Sequence, residues 1–231
     1  MTPAARVAAA VELISLIQSG GAADRRVAGF FRSRRFAGAK DRVAITEQVY
    51  AVLRRRGELA WRLEAAGAPA TPRSLIIAAL ASEQAVDEVA RRFDGSRFGP
   101  APLDEAERAM LDRLAGAPDR PEPDWVRGAY PPWLEAELRD RFGDGVVAEM
   151  QALLARAPVD LRVNRLKGDR AEAAAALAAV GIAAAPTPHA PLGLRLEGRA
   201  DLSHLAVFQT GLVEPQDEGS QLVALLVGAR P

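Results

Sequence analysis

Arg162 and Asn164, two residues apart in an alternating stretch, are of types that meet nucleic acids. A guanidinium is a planar fork that matches a phosphate or a guanine edge, and a carboxamide can read a base edge. Arg165 and Lys167 follow just beyond. The plainer reading of this group is the polar end of a strand. A larger store of positive charge lies earlier in the chain. Residues 25–56 carry Arg25, Arg26, Arg32, Arg34, Arg35, Lys40, Arg42, Arg54, Arg55 and Arg56, against only Asp41 and Glu47. The whole chain balances 30 basic against 30 acidic residues, so this is a local patch, suited to a polyanion met on one face. A solvated helix face would have the same composition.

Catalytic chemistry is harder to find. His189 and His204 sit in separate loops with no third ligand at useful spacing, which predicts surface histidines and no metal site. Ser203 beside His204 does not make a triad, because triad members are assembled by the fold and need an oriented acid. Asp217 and Glu218 are adjacent; on a helix they point about 100° apart, and charge at a helix N-terminus is their simpler role. With no cysteine in 231 residues, disulfides, cysteine-ligated zinc, iron–sulfur clusters and thiolate catalysis are excluded from these residues. No catalytic and no cofactor-binding residue is therefore assigned. The N-terminus lacks the pattern of a signal peptide, and no apolar run approaches the roughly 20 residues that cross a bilayer. A soluble, cytoplasmic protein without a membrane partner is expected.

The elements that must position these residues fall into two kinds. Residues 1–156 read as helices. Val7, Val11, Ile14 and Ile17 recur at helical spacing before Gly20-Gly21, and Val27, Phe30 and Phe31 give a second apolar face. A third helix is predicted over 39–56 with Val43, Val49, Val52 and Leu53 inward. Thr71-Pro72 caps the next, and further helices fit 83–93, 103–114, 132–142 and 146–156. Gly- and Pro-rich loops at 94–102 and 116–123 separate them. The period changes near Pro158. Val159, Leu161 and Val163 alternate with Asp160, Arg162 and Asn164, as in a half-buried strand. Asp169 and Glu172 form a capping-box pattern for a helix ending at Gly181. Strands are predicted near 182–185, 194–197 and 212–214, with a turn at 201–205. This order predicts a small α+β sandwich of the ferredoxin-like kind over 157–215. A connector helix then fills 216–231, where Leu222, Leu225 and Leu226 form an apolar face and predict weak anchoring.

The run Leu161-Arg162-Val163-Asn164, then Asp201-Leu202-Ser203-His204-Leu205, then Gly211 through Leu222 with its Gln216-Asp217-Glu218-Gly219-Ser220, strongly resembles the RsmB/Nop/Sun family of S-adenosylmethionine-dependent RNA cytosine-5 methyltransferases. Tyr130-Pro131-Pro132-Trp133-Leu134 matches the segment that opens this region in the family. Asp41-Arg42 through Val49-Tyr50-Ala51-Val52-Leu53-Arg54 resembles the NusB-like helical domain of bacterial members. The resemblance implies an all-α NusB-like RNA-binding domain over 1–156, a ferredoxin-like accessory domain, and a Rossmann-like methyltransferase domain expected after Pro231. It implies rRNA as partner, with no DNA. It implies S-adenosylmethionine as cofactor of the full-length protein, with none bound by these residues. In the family a cysteine thiolate adds to the pyrimidine and makes its ring carbon nucleophilic; no position here inherits that role. The RNA-binding residues expected are Arg32, Arg34, Arg35, Lys40, Arg42, Arg54, Arg55 and Arg56 of the basic patch, with Lys167 and, by the resemblance, Arg162 and Asn164; the resemblance places Gln216, Asp217 and Ser220 on a connector expected to pack against the catalytic sheet. A free-standing NusB-like RNA-binding module without catalysis is the alternative, and a helical surface for a protein partner is a third.

Overall fold

A computed structural model describes the chain except residues 117–120, 156, 199 and 229–231. The chain forms two compact units, Met1–Ala155 and Arg156–Pro231. The predicted helix end at Arg156, the middle of the 116–123 loop and the end of the 216–231 connector lie outside the described residues.

The first unit is helical: α1 (Pro3–Gln18), α2 (Ala23–Ser33), α3 (Ala39–Arg54), α4 (Arg56–Ala65), α5 (Pro72–Ala81), α6 (Val86–Arg91), α7 (Glu105–Ala115), α8 (Asp124–Arg127), α9 (Glu135–Phe142) and α10 (Val146–Ala152). Local chemistry sets the starts. Thr2 Oγ1 accepts from the Ala5 amide at 3.1 Å with Pro3 in the first turn, and Thr71 with Ser74 and Asp104 with Glu107 form reciprocal capping boxes. Leu13, Ile14, Ile45, Leu59, Leu63, Leu75, Ile76, Ile77 and Leu111 are among the buried side chains of one continuous core. Arg73 ties α5 to α7 by forking onto Glu107 at 2.6 and 2.9 Å.

Two expectations are corrected here. The predicted 39–56 helix breaks at Arg55, and α4 follows it, buried through Leu59, Trp61 and Leu63. Arg55 forks onto Glu58 at 2.8 and 2.7 Å, and Gly57 lies 3.7 Å (from an ideal Cβ) from the Trp125 ring, so the change of direction is held by local contacts. Val43 does not point inward; it is 45% exposed, because the buried stripe of α3 is Ile45, Val49 and Val52. Val43 lies two residues before that stripe, about 200° around the helix.

The second unit runs β1 (Asp160–Val163), α11 (Arg170–Ala179), β2 (Ala184–Pro186), β3 (Gly193–Leu196), α12 (Ala206–Gln209), β4 (Val213–Pro215) and α13 (Glu218–Leu226). The sheet order is β2-β3-β1-β4 with every neighbouring pair antiparallel. That is the ferredoxin-like arrangement, two interleaved strand–helix–strand units. Leu161 and Val163 of β1 bury with Leu194, Leu196, Val213, Ala173 and Leu177, so the period-2 pattern of β1 becomes the inner face of the sheet. Asp169 and Glu172 cap α11 as predicted, and Gly181 takes φ +79°, where a side chain would be strained.

The first turns of α13 are tied down. Asp217 caps Ser220 N–H at 2.9 Å, and the buried Gln221 donates to the carbonyls of Gln216 at 2.9 Å and Leu161 at 3.3 Å. Its second half is not: Val223, Leu225, Leu226 and Val227 are exposed. Amides of 224–227 are therefore expected to exchange at least tenfold faster than that of Gln221, measured by hydrogen exchange resolved to single residues. Equal protection along the helix would contradict this anchoring.

Candidate nucleic-acid interface

Four arginines of the first unit line a cleft of about 480 Å³ between the end of α1 and the face of α2, and Arg35, Lys40, Arg42, Arg54, Arg55 and Arg56 lie outside it. Arg25, Arg26, Arg32 and Arg34 line it, with Phe30 and Gly29 as its floor. Helical spacing explains this: Arg25 and Arg32 are seven residues apart, two turns along one face. Two of the four guanidiniums are engaged. Arg26 Nε donates to the Gly20 carbonyl at 2.7 Å, and Arg34 pairs with Glu12 while its carbon lies 3.9 Å from the Phe30 ring centre. Arg25 and Arg32 are exposed and make no ion pair among the described residues.

Two side-chain contacts link α2 to α3, the start of one meeting the end of the other. Tyr50 donates to Asp24 at one end, and Arg42 sits over Phe31 at the other, its Nε donating to Ala37 O at 2.8 Å. The Asp24 carboxylate, accepting from the phenol, and burial push the Tyr50 pKa up. Arg54 lies one turn beyond Tyr50 on the same face of α3 and is exposed, as are Arg56, Arg35 and Lys40. Arg55 is the exception, since Glu58 already neutralises it.

In the second unit, Arg162, Asn164 and Lys167 gather at one end of the β1–β4 pair, each engaged within the fold. Arg162 pairs with Glu214, its register partner on β4. Asn164 Oδ1 accepts from the Leu166 amide at 3.0 Å and closes the turn after β1, while the Lys167 ammonium donates to the Thr210 carbonyl. His189 and His204 are both exposed, and among the described residues no group of His, Asp and Glu could hold a metal ion.

Sequence reasoning missed a cluster on the outer face of the same sheet. Asp160, whose side chain is 2% exposed, accepts from Nε and Nη2 of Arg195 at 2.7 and 2.8 Å and from the Glu218 amide at 3.2 Å. The Arg195 hydrogen bonds outweigh burial and hold the Asp160 carboxyl below its ordinary range. Burial pushes Glu218 upward, but the amides of Ala190 and His189, at 2.8 and 2.5 Å, outweigh it and the carboxyl is held low. Asp217, in contrast, is only a cap, its carboxyl lowered by the Ser220 hydroxyl and amide. The adjacent acids thus hold a loop and a helix start. The one available signal was an acid, Asp160, placed where a strand alternation calls for a neutral polar residue.

The RsmF/B-like methyltransferase ferredoxin-like domain matches residues 130–203. Several similar proteins bear one name between them. Ribosomal RNA small subunit methyltransferase B of Xylella fastidiosa (strain Temecula1) is 37% identical over 103 residues, covering 45% of this chain and 24% of its own length. The protein of that name from Pseudomonas putida is 35% identical over 131 residues, covering 57% and 29%. That from Sodalis glossinidius is 31% identical over 142 residues, covering 62% and 29%. Over the matched residues the chain is similar to the RsmB/Sun family. It spans about a quarter of the length of these RsmB relatives. The crystal structure of PH0851 shares the fold, with a TM-score of 0.63 at 18% identity over all of this chain and 56% of that one.

The RsmB/Sun match begins at Tyr130, in the stretch Tyr130-Pro131-Pro132-Trp133-Leu134. Tyr130 is buried and donates to Glu135 Oε2 at 2.7 Å; burial, then the Glu135 carboxylate, push its phenol up to about 12. It stays protonated at any physiological pH, so it is a fixed donor at the start of α9. Trp133, three residues on, is exposed.

Proposed function

We propose that these residues are the RNA-gathering part of an S-adenosylmethionine-dependent methyltransferase that modifies rRNA at cytosine C5, with residues 1–156 acting as a NusB-like RNA-binding domain. The observation that carries this reading is the cleft of Arg25, Arg26, Arg32 and Arg34, in which among the described residues only Arg34 meets a carboxylate, in a chain similar to the RsmB/Sun family. A cytoplasmic location follows from an rRNA substrate, and no helix among the described residues is long and apolar enough to cross a membrane. Arg32, Arg35, Lys40, Arg54 and Arg56 are the exposed cations offered to phosphate. Arg34, Arg42 and Arg55 position the surface, and Arg162, Asn164 and Lys167 present a second polar edge.

On this reading the reaction does not belong to these residues. The thiolate that would activate a cytosine is not available where there is no cysteine. S-adenosylmethionine carries a sulfonium cation, which the arginine cleft would repel. The antiparallel sheet also lacks the crevice at the ends of parallel strands where such cofactors bind. Titrating the chain with a small-subunit rRNA fragment at rising salt tests this. The logarithm of affinity is expected to fall linearly with that of salt, by about 0.7 for each single-stranded phosphate contacted. Absence of RNA affinity at about 50 mM salt, or tight S-adenosylmethionine binding by calorimetry, would sink the reading.

A further inference from the structure

A groove of about 560 Å³ runs along the outer side of α1, next to the arginine cleft and sharing Arg34 with it. Its floor is the small-residue face of α1: Ala5, Ala8 and Ala9. Phe36 and Phe98 line it from the tips of two separate turns and are 74% and 70% exposed. Each ring follows an arginine in sequence, Arg35 and Arg97, and the Arg97 guanidinium lies 5.2 Å from the Phe98 ring centre. Exposing two phenyl rings costs free energy that burial would recover, so the groove is built to be covered.

The charges around it say by what. Glu12 is paired with Arg34, Asp41 with Arg6 at 2.8 Å and the terminal amine at 3.0 Å, and Asp94 accepts from the Ser96 amide at 3.0 Å. Each of these acids already has its donor. Arg25, Arg32, Arg35 and Arg97 have no carboxylate partner among the described residues. The surface therefore offers two exposed aromatic rings, each with an unneutralised arginine beside it in the chain, Arg35 and Arg97. An apolar peptide would satisfy the rings and leave the cations; an unpaired nucleotide satisfies both, since its base has a π-face and its phosphate a charge.

We propose that this groove takes unstacked bases of single-stranded RNA against Phe36 and Phe98, with the flanking phosphates on Arg35 and Arg97. This deepens the RNA-binding reading and rests on it. It makes the first unit selective for unpaired RNA, where the arginine cleft alone would hold any polyanion. Stacking of this kind tolerates sequence, so the preference is for strandedness and not for a particular base.

The test compares affinities of the full chain, by fluorescence anisotropy, for a short single-stranded RNA, the same strand made abasic, and the corresponding duplex. The native chain is expected to prefer the single strand over the other two by roughly tenfold or more. The double variant Phe36→Ala, Phe98→Ala is expected to lose that preference while keeping its salt dependence and thermal midpoint, because both rings are exposed and carry no core packing. If the double variant retains the preference, or the native chain binds abasic and normal strands alike, the inference fails while the RNA-binding reading stands. If the native chain binds no RNA at all, both fail.

Discussion

Replacing Arg25, Arg32 and Arg35 together with Ser is expected to weaken RNA binding by roughly 50-fold near 0.1 M salt, by the phosphate-contact scale for nonspecific complexes. The three cations share a feature that composition cannot report: none is neutralised among the described residues. A cation without a partner releases counterions from the nucleic acid when it binds, and that release is the source of affinity. The same substitution should flatten the plot of log affinity against log salt by about 2, or about 0.7 for each lost contact. Arg55→Ser supplies the contrast. Its guanidinium is already forked onto Glu58, so its removal should change the slope by far less than removal of Arg25. Fluorescence anisotropy across a salt series measures both. Equal slopes for Arg25→Ser and Arg55→Ser would show that pairing within the fold does not decide which arginines meet RNA.

The second large effect is on stability. Asp160→Ala is expected to destabilise the ferredoxin-like unit by about 2–3 kcal/mol, the range for a buried charged hydrogen-bonding group, because it removes the acceptor of Arg195 and of the Glu218 amide at once. The start of α13 loosens with it, since Glu218 holds both Asp160 and the His189–Ala190 backbone. The pH dependence has a definite sign. The folded carboxyl titrates below its ordinary value of 3.8, so its contribution is complete above about pH 5 and is lost as pH falls through the folded value. Asp160→Asn should remove that part of the acid sensitivity. Urea unfolding at several pH values, read by hydrogen exchange at the β1 and β3 peptides, measures both effects. If Asp160→Asn leaves the acid slope of those peptides unchanged, the pair contributes nothing to it.

Much of the ferredoxin-like unit was legible before any coordinates. Its strand β1 alternates cleanly, Asp169 and Glu172 are a capping box, and Gly181 stops the helix; each signal involves residues within four positions of each other. Helices with strong caps, such as α5 behind Thr71-Pro72, were equally plain. The break between α3 and α4 was not, because Arg54-Arg55-Arg56 continues a helical pattern. What turns the chain there is Glu58 on Arg55 and the packing of Trp61 and Leu63. Val43 was misjudged for a related reason: apolar type alone does not say which of two faces is buried.

The arginine-rich segment and the absence of cysteine were determined by the sequence alone. Together they set what these residues are able to do: attract a polyanion, and form no thiolate intermediate. Tertiary structure alone decided which charges remain available. Arg162 is matched by Glu214, Arg34 by Glu12 and Arg195 by Asp160, partners between 22 and 52 residues apart. Caps and periods depend on neighbours along the chain, whereas neutralisation depends on which side chains the fold brings within a few ångströms. For the same reason, Phe36 and Phe98 are two ordinary turn residues in sequence and one groove only once α1 lies between them.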